Sequence, residues 1–279
     1  MSIRTDAPSV AEEVRRYLRT GETDPLMTAW PGNLGVRAER SHQDLRRALV
    51  KEVLRRTEGL AHPPLPELDV RELTLRKATP MVRGLFPGTE WELVLRLVER
   101  SVVFVITANV ERLLLGQRWD RTAWTIANLY LASFEAELLS TNAETLLGLS
   151  EETTCYLSPT YFSRDDARSD ALVHEVAHIF HNCKRTTAGL PATRKRQWML
   201  DLAFEKRETF AYACELYSCV SRQKADRSRR RELADGIVGN LRLTDEGVNS
   251  RELKDILVEA VTARNGWKAI LRRCGKSRV

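Results

Sequence analysis

The sequence predicts an α+β protein that is mostly helical, with a small sheet beside a helix that carries an HExxH motif. Two observations favour this class. Most of the 279-residue chain repeats apolar residues at the spacing of amphipathic helices. The exception is ETTCYLSPTYF, residues 152–162, where Thr, Tyr and Phe are enriched and Pro159 interrupts the run. That composition is typical of a short edge strand.

Residues 1–145 form the first predicted domain, a helical N-terminal region that supports the site described below or restricts access to it. Gly21 is expected to end its first helix, and Ser41 to cap its second. The prolines of residues 61–90 predict an extended connector. Four amphipathic helices are predicted in this domain, over residues 8–20, 41–57, 90–116 and 121–140.

Residues 146–279 form the second predicted domain. It begins with the edge strand, and Ser163 or Ser169 is the expected N-cap of the HExxH helix. A polar, basic loop follows that helix over residues 182–198. Three further helices are predicted, over residues 197–220, 225–240 and 251–272.

The N-terminal residues, the apolar runs and the cysteines indicate the cellular compartment. The first 18 residues are polar and lack the apolar core of an export signal. The apolar run SVVFVITANV, residues 101–110, is too short to cross a bilayer and is expected to lie in a buried helix. The 5 cysteines are irregularly spaced and form no CxxC pair, which favours free thiols. We therefore expect a cytoplasmic protein with no membrane partner.

The net charge of +6 mildly favours an acidic or nucleic-acid partner. Basic residues concentrate in segments 183–198 and 221–232. Such runs are more often solvated surfaces than phosphate-binding sites. No zinc finger, helix-turn-helix or interleaved aromatic residues accompany them, so nucleic acid is a weakly supported partner.

The motif that carries chemistry is HEVAH, residues 174–178. On a helix, His174 and His178 lie on one face, so both imidazoles can bind one metal ion. Glu175 is placed to take a proton from a metal-bound water whose pKa zinc lowers. The alternative is a chance match with two core histidines. The apolar neighbours indicate a buried helix, however, where unpaired polar groups would be costly.

A catalytic zinc site needs a third protein ligand. His181 is nearest in sequence, but a straight helix places it about 10 Å along the axis from His174. The stretch FEKRETFAYACELY, residues 204–217, offers Glu208, Glu215 and Glu205 on a second helix. Glu215 has a second interpretation, as a carboxylate that hydrogen-bonds a ligand histidine.

Together, HEVAHIFH and ETFAYACELY resemble the ImmA/IrrE type of zinc metallopeptidase, and gluzincin-type zincins generally, over about residues 150–220. The resemblance implies a zincin-like core in which Glu208 completes the zinc site. It also implies that an edge strand before the HExxH helix, here residues 152–162, binds an extended peptide by strand addition.

The expected function is that of a hydrolase, a zinc-dependent metallopeptidase in which His174, His178 and Glu208 hold Zn²⁺ and Glu175 is the general base. Its partner would be a peptide or protein substrate. Three residues are candidates to stabilise the oxyanion, namely Tyr212, Tyr217 and His181. The alternative is a regulatory or nucleic-acid-associated protein with a zincin-like domain whose proteolysis is selective or vestigial.

Overall fold

Helices dominate the computed structural model, which describes residues 8–163, 169–223, 226–239 and 247–276. The predicted α+β, mostly helical class is confirmed. The described residues form eleven α-helices: α1 (Val10–Thr20), α2 (Leu34–Thr57), α3 (Val70–Leu85), α4 (Trp91–Glu99), α5 (Thr107–Gly116), α6 (Asp120–Ser133), α7 (Ala171–Asn182), α8 (Arg207–Arg222), α9 (Arg227–Gly239), α10 (Ser250–Thr262) and α11 (Gly266–Cys274). They also form three strands: β1 (Val102–Phe104), β2 (Gly148–Glu151) and β3 (Thr154–Leu157).

The chain divides into two compact units that are not consecutive in sequence. The first comprises Met1–Leu65, Phe104–Leu149 and Ser158–Ser163, and the second comprises Pro66–Val103, Ser150–Leu157 and Arg164–Val279. This division differs from the expected domains, 1–145 and 146–279, because α3 and α4 belong to the same unit as the HExxH helix.

The first unit is built on α2, which packs against α1, α5 and α6. The apolar side of α2 is buried through Leu45, Leu49 and Val53. The hydroxyl of the buried Tyr17, on α1, donates a hydrogen bond of 2.7 Å to the carbonyl of Asp120 at the start of α6. Burial raises the pKa of this phenol, so it remains a donor.

The second unit is built on α7 and α8, which pack against each other. Strand β3 packs on α7, and α10 and α11 pack on α8. Helix α3 contacts α4, α7, α8 and α11. The fully buried Arg185, after α7, pairs with Glu90 at 2.7 Å, which fixes the loop that leaves the HExxH helix.

The extended connector predicted over residues 61–90 is wrong, because residues 70–85 form α3. Pro80 lies inside this helix, where a proline typically costs about 3 kcal/mol. The helix nevertheless buries Leu73, Met81 and Leu85, and this apolar contact outweighs the local preference.

The single helix predicted over residues 90–116 is also wrong. It is divided into α4, β1 and α5. The β-branched residues Val102 and Val103 favour a strand, and the carbonyl of Ser101 accepts a hydrogen bond of 2.7 Å from the Cys155 amide of β3. A sheet partner from a distant part of the chain therefore decides this segment.

A strand does form within residues 152–162, but the prediction that it lies at the edge of the sheet is wrong. The sheet order is β1–β3–β2, so β3 is central, and Pro159 follows it in a short 3-10 turn. The edges are β1 and β2. Because β3 is hydrogen-bonded to a strand on each side, it has no free edge for strand addition, and its residues Cys155, Tyr156 and Leu157 are buried.

Several helix boundaries differ from those predicted. Helix α2 begins at Leu34 with Asn33 as its N-cap, so Ser41 lies within the helix. Helix α6 ends at Ser133. The segment 251–272 contains the two helices α10 and α11, and the segment 197–206 is not α-helical. Residues 224–225, within the basic segment 221–232, lie outside the described residues.

All 5 cysteines lie in the described part of the chain, where each is free and buried. This confirms the prediction of free thiols. Within the described ranges, no helix combines the length and apolar character that crossing a membrane requires.

A close contact between α3 and α11 gives a test of the packing in the second unit. A Cβ atom on Gly84 would lie 2.1 Å from Cδ1 of the buried Trp267. We expect Gly84→Ala to lower the free energy of unfolding by about 2 kcal/mol, since overpacking a core typically costs about 1–3 kcal/mol. Urea denaturation followed by circular dichroism measures the change.

Gly236→Ala is the matched control, because this glycine also lies within a helix and a Cβ there meets no atom within 4 Å. The control should be neutral or stabilising by up to about 1 kcal/mol. Equal effects of the two substitutions would contradict the packing of Trp267 on α3.

Candidate metal centre

Helix α7 presents its histidines from a buried element. Its apolar residues Leu172, Val176 and Phe180 are fully buried, and nearly the whole helix is covered. Its N-cap is Asp170, not Ser163 or Ser169 as expected. Two of the three histidines of this helix, His178 and His181, are also buried, so each needs a polar partner.

His174 and His178 converge on one point. One turn apart on α7, they bring their Nε2 atoms to 3.1 Å from each other, with ring centroids separated by 4.9 Å. Two imidazole nitrogens at this distance, facing the same space, are suited to share one cation.

Glu208 supplies the third group from the first turn of α8. Its Oε2 atom lies 3.4 Å from Nε2 of His178 and 3.7 Å from Nε2 of His174. A tetrahedral zinc ion with bonds of about 2.0–2.2 Å keeps its ligand atoms about 3.4 Å apart. The three separations in this cluster bracket that value, so the residues present fit a divalent ion bound by two histidines and one carboxylate.

Glu215 lies about two turns after Glu208 on α8 and contacts the other side of the His174 ring. Its Oε2 atom is 3.1 Å from Nδ1 of His174, the ring nitrogen opposite the one that faces Glu208. Its Oε1 atom accepts hydrogen bonds of 2.7 Å from the Asp170 amide and from the Ser169 hydroxyl. Glu215 is therefore an orienting partner of His174 and does not face the cluster.

His181 holds His178 in the same way. Its Nε2 atom lies 2.9 Å from Nδ1 of His178. Burial, followed by the neighbouring charge of His178, lowers the pKa of His181 to about 3, so its ring is neutral and can accept a hydrogen bond. With Nε2 of His181 as the acceptor, Nδ1 of His178 would be the donor and Nε2 of His178 would be free for an ion. The structure thus places His181 beside the cluster rather than in it.

The charges of the cluster are complementary. Burial lowers the pKa of His174, but hydrogen bonds to Glu208 and Glu215 outweigh this effect and raise it to about 10. Burial raises the pKa of Glu208, but hydrogen bonds to His174 and His178 outweigh it and hold the pKa well below its usual range. The site is therefore built to stabilise positive charge between these side chains.

Glu175 is held by a residue that the sequence did not single out. The hydroxyl of Ser150, on the edge strand β2, donates to Oε2 of Glu175 at 2.5 Å and also lies 2.8 Å from the Glu175 carbonyl. Glu175 is buried, and its charge acts on His174. A serine in a weak strand pattern carries no local signal of this role, because the contact depends on how the sheet packs on α7.

The structure separates the three candidates for oxyanion stabilisation. The ring of Tyr212 packs edge-on against His174, with centroids 4.6 Å apart, so it lies next to the cluster. Tyr217 packs against Trp267 of α11 instead. His181 is occupied with His178. Tyr212 is the candidate that the geometry retains.

Asp170 ties the start of α7 to two other helices. It is 1% exposed, and its Oδ2 atom pairs with Lys77 of α3 at 2.8 Å and with Arg222 of α8. Burial raises the pKa of Asp170, but these two cations outweigh it and lower the pKa overall. The sequence predicted a connector around Lys77, so this link was missed.

No protein-family model matches this chain, and neither the curated proteins nor the solved structures include a significant match to it.

The ion pairs of Asp170 predict a pH-dependent contribution to stability. We expect Asp170→Asn to lower the free energy of unfolding by about 2 kcal/mol at pH 7, because two cations lose a buried partner. Since the pKa of Asp170 is lower in the folded state, its contribution is present above the unfolded pKa and is lost as the pH falls through the folded value. Urea denaturation from pH 7 to pH 3 measures this.

The difference between the wild type and Asp170→Asn should shrink below about pH 4. Asp235→Asn, at an exposed position on α9, is the control and should have little effect at any pH. A difference for Asp170→Asn that stays constant down to pH 3 would contradict the ion-pair explanation.

Proposed function

We propose that this protein is a zinc-dependent metallopeptidase. The observation that carries the proposal is the set of three donors, two histidine nitrogens and one carboxylate oxygen, at the mutual separations of a tetrahedral zinc site. Two histidines and one glutamate form the ligand set of a catalytic zinc site in which a fourth position is kept for water or substrate. The hydrogen bonds of Glu215 and His181 to the two histidines support the same interpretation.

In this proposal each side chain has one task. His174, His178 and Glu208 hold the ion, which when bound would polarise a peptide carbonyl and lower the pKa of water. Glu175 accepts the proton of the attacking water and passes it to the leaving amine. The hydrogen bond from the Ser150 hydroxyl limits the rotation of the Glu175 carboxylate and so fixes its orientation.

The substrate would be an extended peptide. Because β3 is central in the sheet, strand addition would use an edge strand, and Ser150 on β2 already contacts Glu175. Tyr212, next to His174, is the side chain proposed to donate a hydrogen bond to the developing oxyanion.

Substituting Glu175 separates metal binding from catalysis. We expect Glu175→Gln to retain about one zinc ion per chain, because Glu175 is not among the three donors, and to lose peptide cleavage by about 10²–10⁴-fold, as removal of a general base typically does. Elemental analysis measures the zinc. Proteomic comparison of cleavage products between wild type and Glu175→Gln measures the activity in cells.

His174→Ala is the reference variant and should lose both the zinc and the cleavage. Absence of stoichiometric zinc from the wild type would refute the proposal outright. Retention of zinc with unchanged cellular function in Glu175→Gln would favour the alternative of a regulatory protein whose proteolysis is vestigial.

A further inference from the structure

An exposed aromatic residue and an arginine meet at the start of α8, directly beside the proposed metal ligand. Phe204 is 78% exposed, the highest value for a large apolar side chain among the described residues. The guanidinium carbon of Arg207 lies 5.1 Å from the centroid of its ring. Arg207 is the first residue of α8, and the next residue is Glu208. The proposed function does not use this Phe204–Arg207 pair.

Arg207 differs from the neighbouring cations in having no carboxylate partner in the described part of the chain. Lys206 pairs with Glu252, and Arg222 pairs with Asp170. The side chain of Arg207 is half-buried and, by contrast, forms no such pair with a described residue, so a carboxylate that approaches from outside would supply the acceptor that its guanidinium lacks.

Arg207 also lies next to the cluster along the chain. It directly precedes Glu208 on α8, and the Glu208 carboxylate lies 3.4 Å from Nε2 of His178. A group bound to Arg207 would therefore lie near the proposed ligand Glu208, within reach of a chain that passes the metal centre.

The segment that joins α7 to α8 adds positive charge on the same unit. Thr193 and Arg196 pair with each other across a turn, which leaves Arg194 and Lys195 exposed at its tip. The segment is fixed to α7 because the Leu200 amide donates a hydrogen bond of 2.7 Å to the Phe180 carbonyl. The acidic residues of segment 183–207 are Asp201 and Glu205, which its exposed cations outnumber.

We infer that Arg207 and Phe204 form a subsite that receives an acidic side chain of the peptide substrate, so that this protein prefers acidic peptides. This inference rests on the proposed function. A guanidinium donates two parallel hydrogen bonds to a carboxylate, and the exposed ring offers an apolar surface to the methylene groups of a glutamate. One guanidinium beside one ring fits a single carboxylate better than a nucleic acid, which requires a row of cations and stacking rings.

Three quenched-fluorescence peptide pools test the inference. They are random except for one repeated residue, which is Glu, Gln or Lys. With zinc-loaded, full-length protein we expect kcat/KM to be about tenfold higher for the Glu pool than for the Gln pool, and lowest for the Lys pool. Arg207→Gln should bring the ratio of the Glu and Gln pools close to one while zinc stays bound. Arg96→Gln removes an exposed arginine from α4, away from Glu208 in the sequence, and should preserve the ratio.

A second measurement separates this inference from the proposed function. If the wild type cleaves none of the pools, the proposed function fails, and fluorescence anisotropy of labelled Glu and Gln pools on zinc-loaded Glu175→Gln then tests the subsite alone. Binding of the Glu pool that is about tenfold tighter, and that is lost in the double variant with Arg207→Gln, supports the subsite.

Equal cleavage or equal binding of the two pools would overturn the inference. So would a preference for the Glu pool that survives Arg207→Gln. A single-stranded oligonucleotide that displaces the labelled Glu pool at a lower concentration than the unlabelled pool would also overturn it, since a polyphosphate would then be the better ligand.

Discussion

The hydrogen bonds of the Glu215 carboxylate hold α7 and α8 together, and the geometry of the second unit depends on them. This carboxylate is buried on α8. It accepts hydrogen bonds from the Ser169 hydroxyl and the Asp170 amide, and it lies 3.1 Å from Nδ1 of His174. A buried carboxylate is tolerated only when such donors compensate for the lost water. Because these donors come from the start of α7, the two helices hold one relative position, and Glu208 thereby reaches the histidines.

Polar contacts around this carboxylate extend the constraint outward. Asp170 connects α7 to Lys77 of α3 and to Arg222 at the far end of α8. His181 fixes His178, and Ser150 fixes Glu175 from the sheet. His174, His178 and Glu175 are thus each held by a second side chain, which helps a site to keep its geometry.

The sequence predicted those features of the site that follow from residue spacing within a single helix. The i, i+4 spacing of His174 and His178 needs only a helix, and the apolar neighbours make that helix buried. Glu208 was reached through a resemblance, and the structure brings it to the two histidines. The mostly helical class followed from periodicity in the same way.

What the sequence missed depends on contacts between distant segments. Val102 and Val103 became a strand because a partner strand lies about fifty residues further along the chain, and α3 formed through Pro80 because its apolar face is buried. Ser150 and Lys77 have no local pattern that marks them, since their roles arise only when sheet and helices pack on α7. Glu215 was considered as a ligand and as a partner of a histidine, and only the packing of α8 distinguishes the two.

We propose that His174, His178 and Glu208 hold one ion. Anomalous diffraction at the zinc absorption edge, from crystals of the full chain grown with zinc, is the decisive experiment. We expect one strong anomalous peak at about 2.0–2.2 Å from Nε2 of both histidines and from a carboxylate oxygen of Glu208. A peak bound instead by Glu215 or by a cysteine, or no peak at this position, would contradict it.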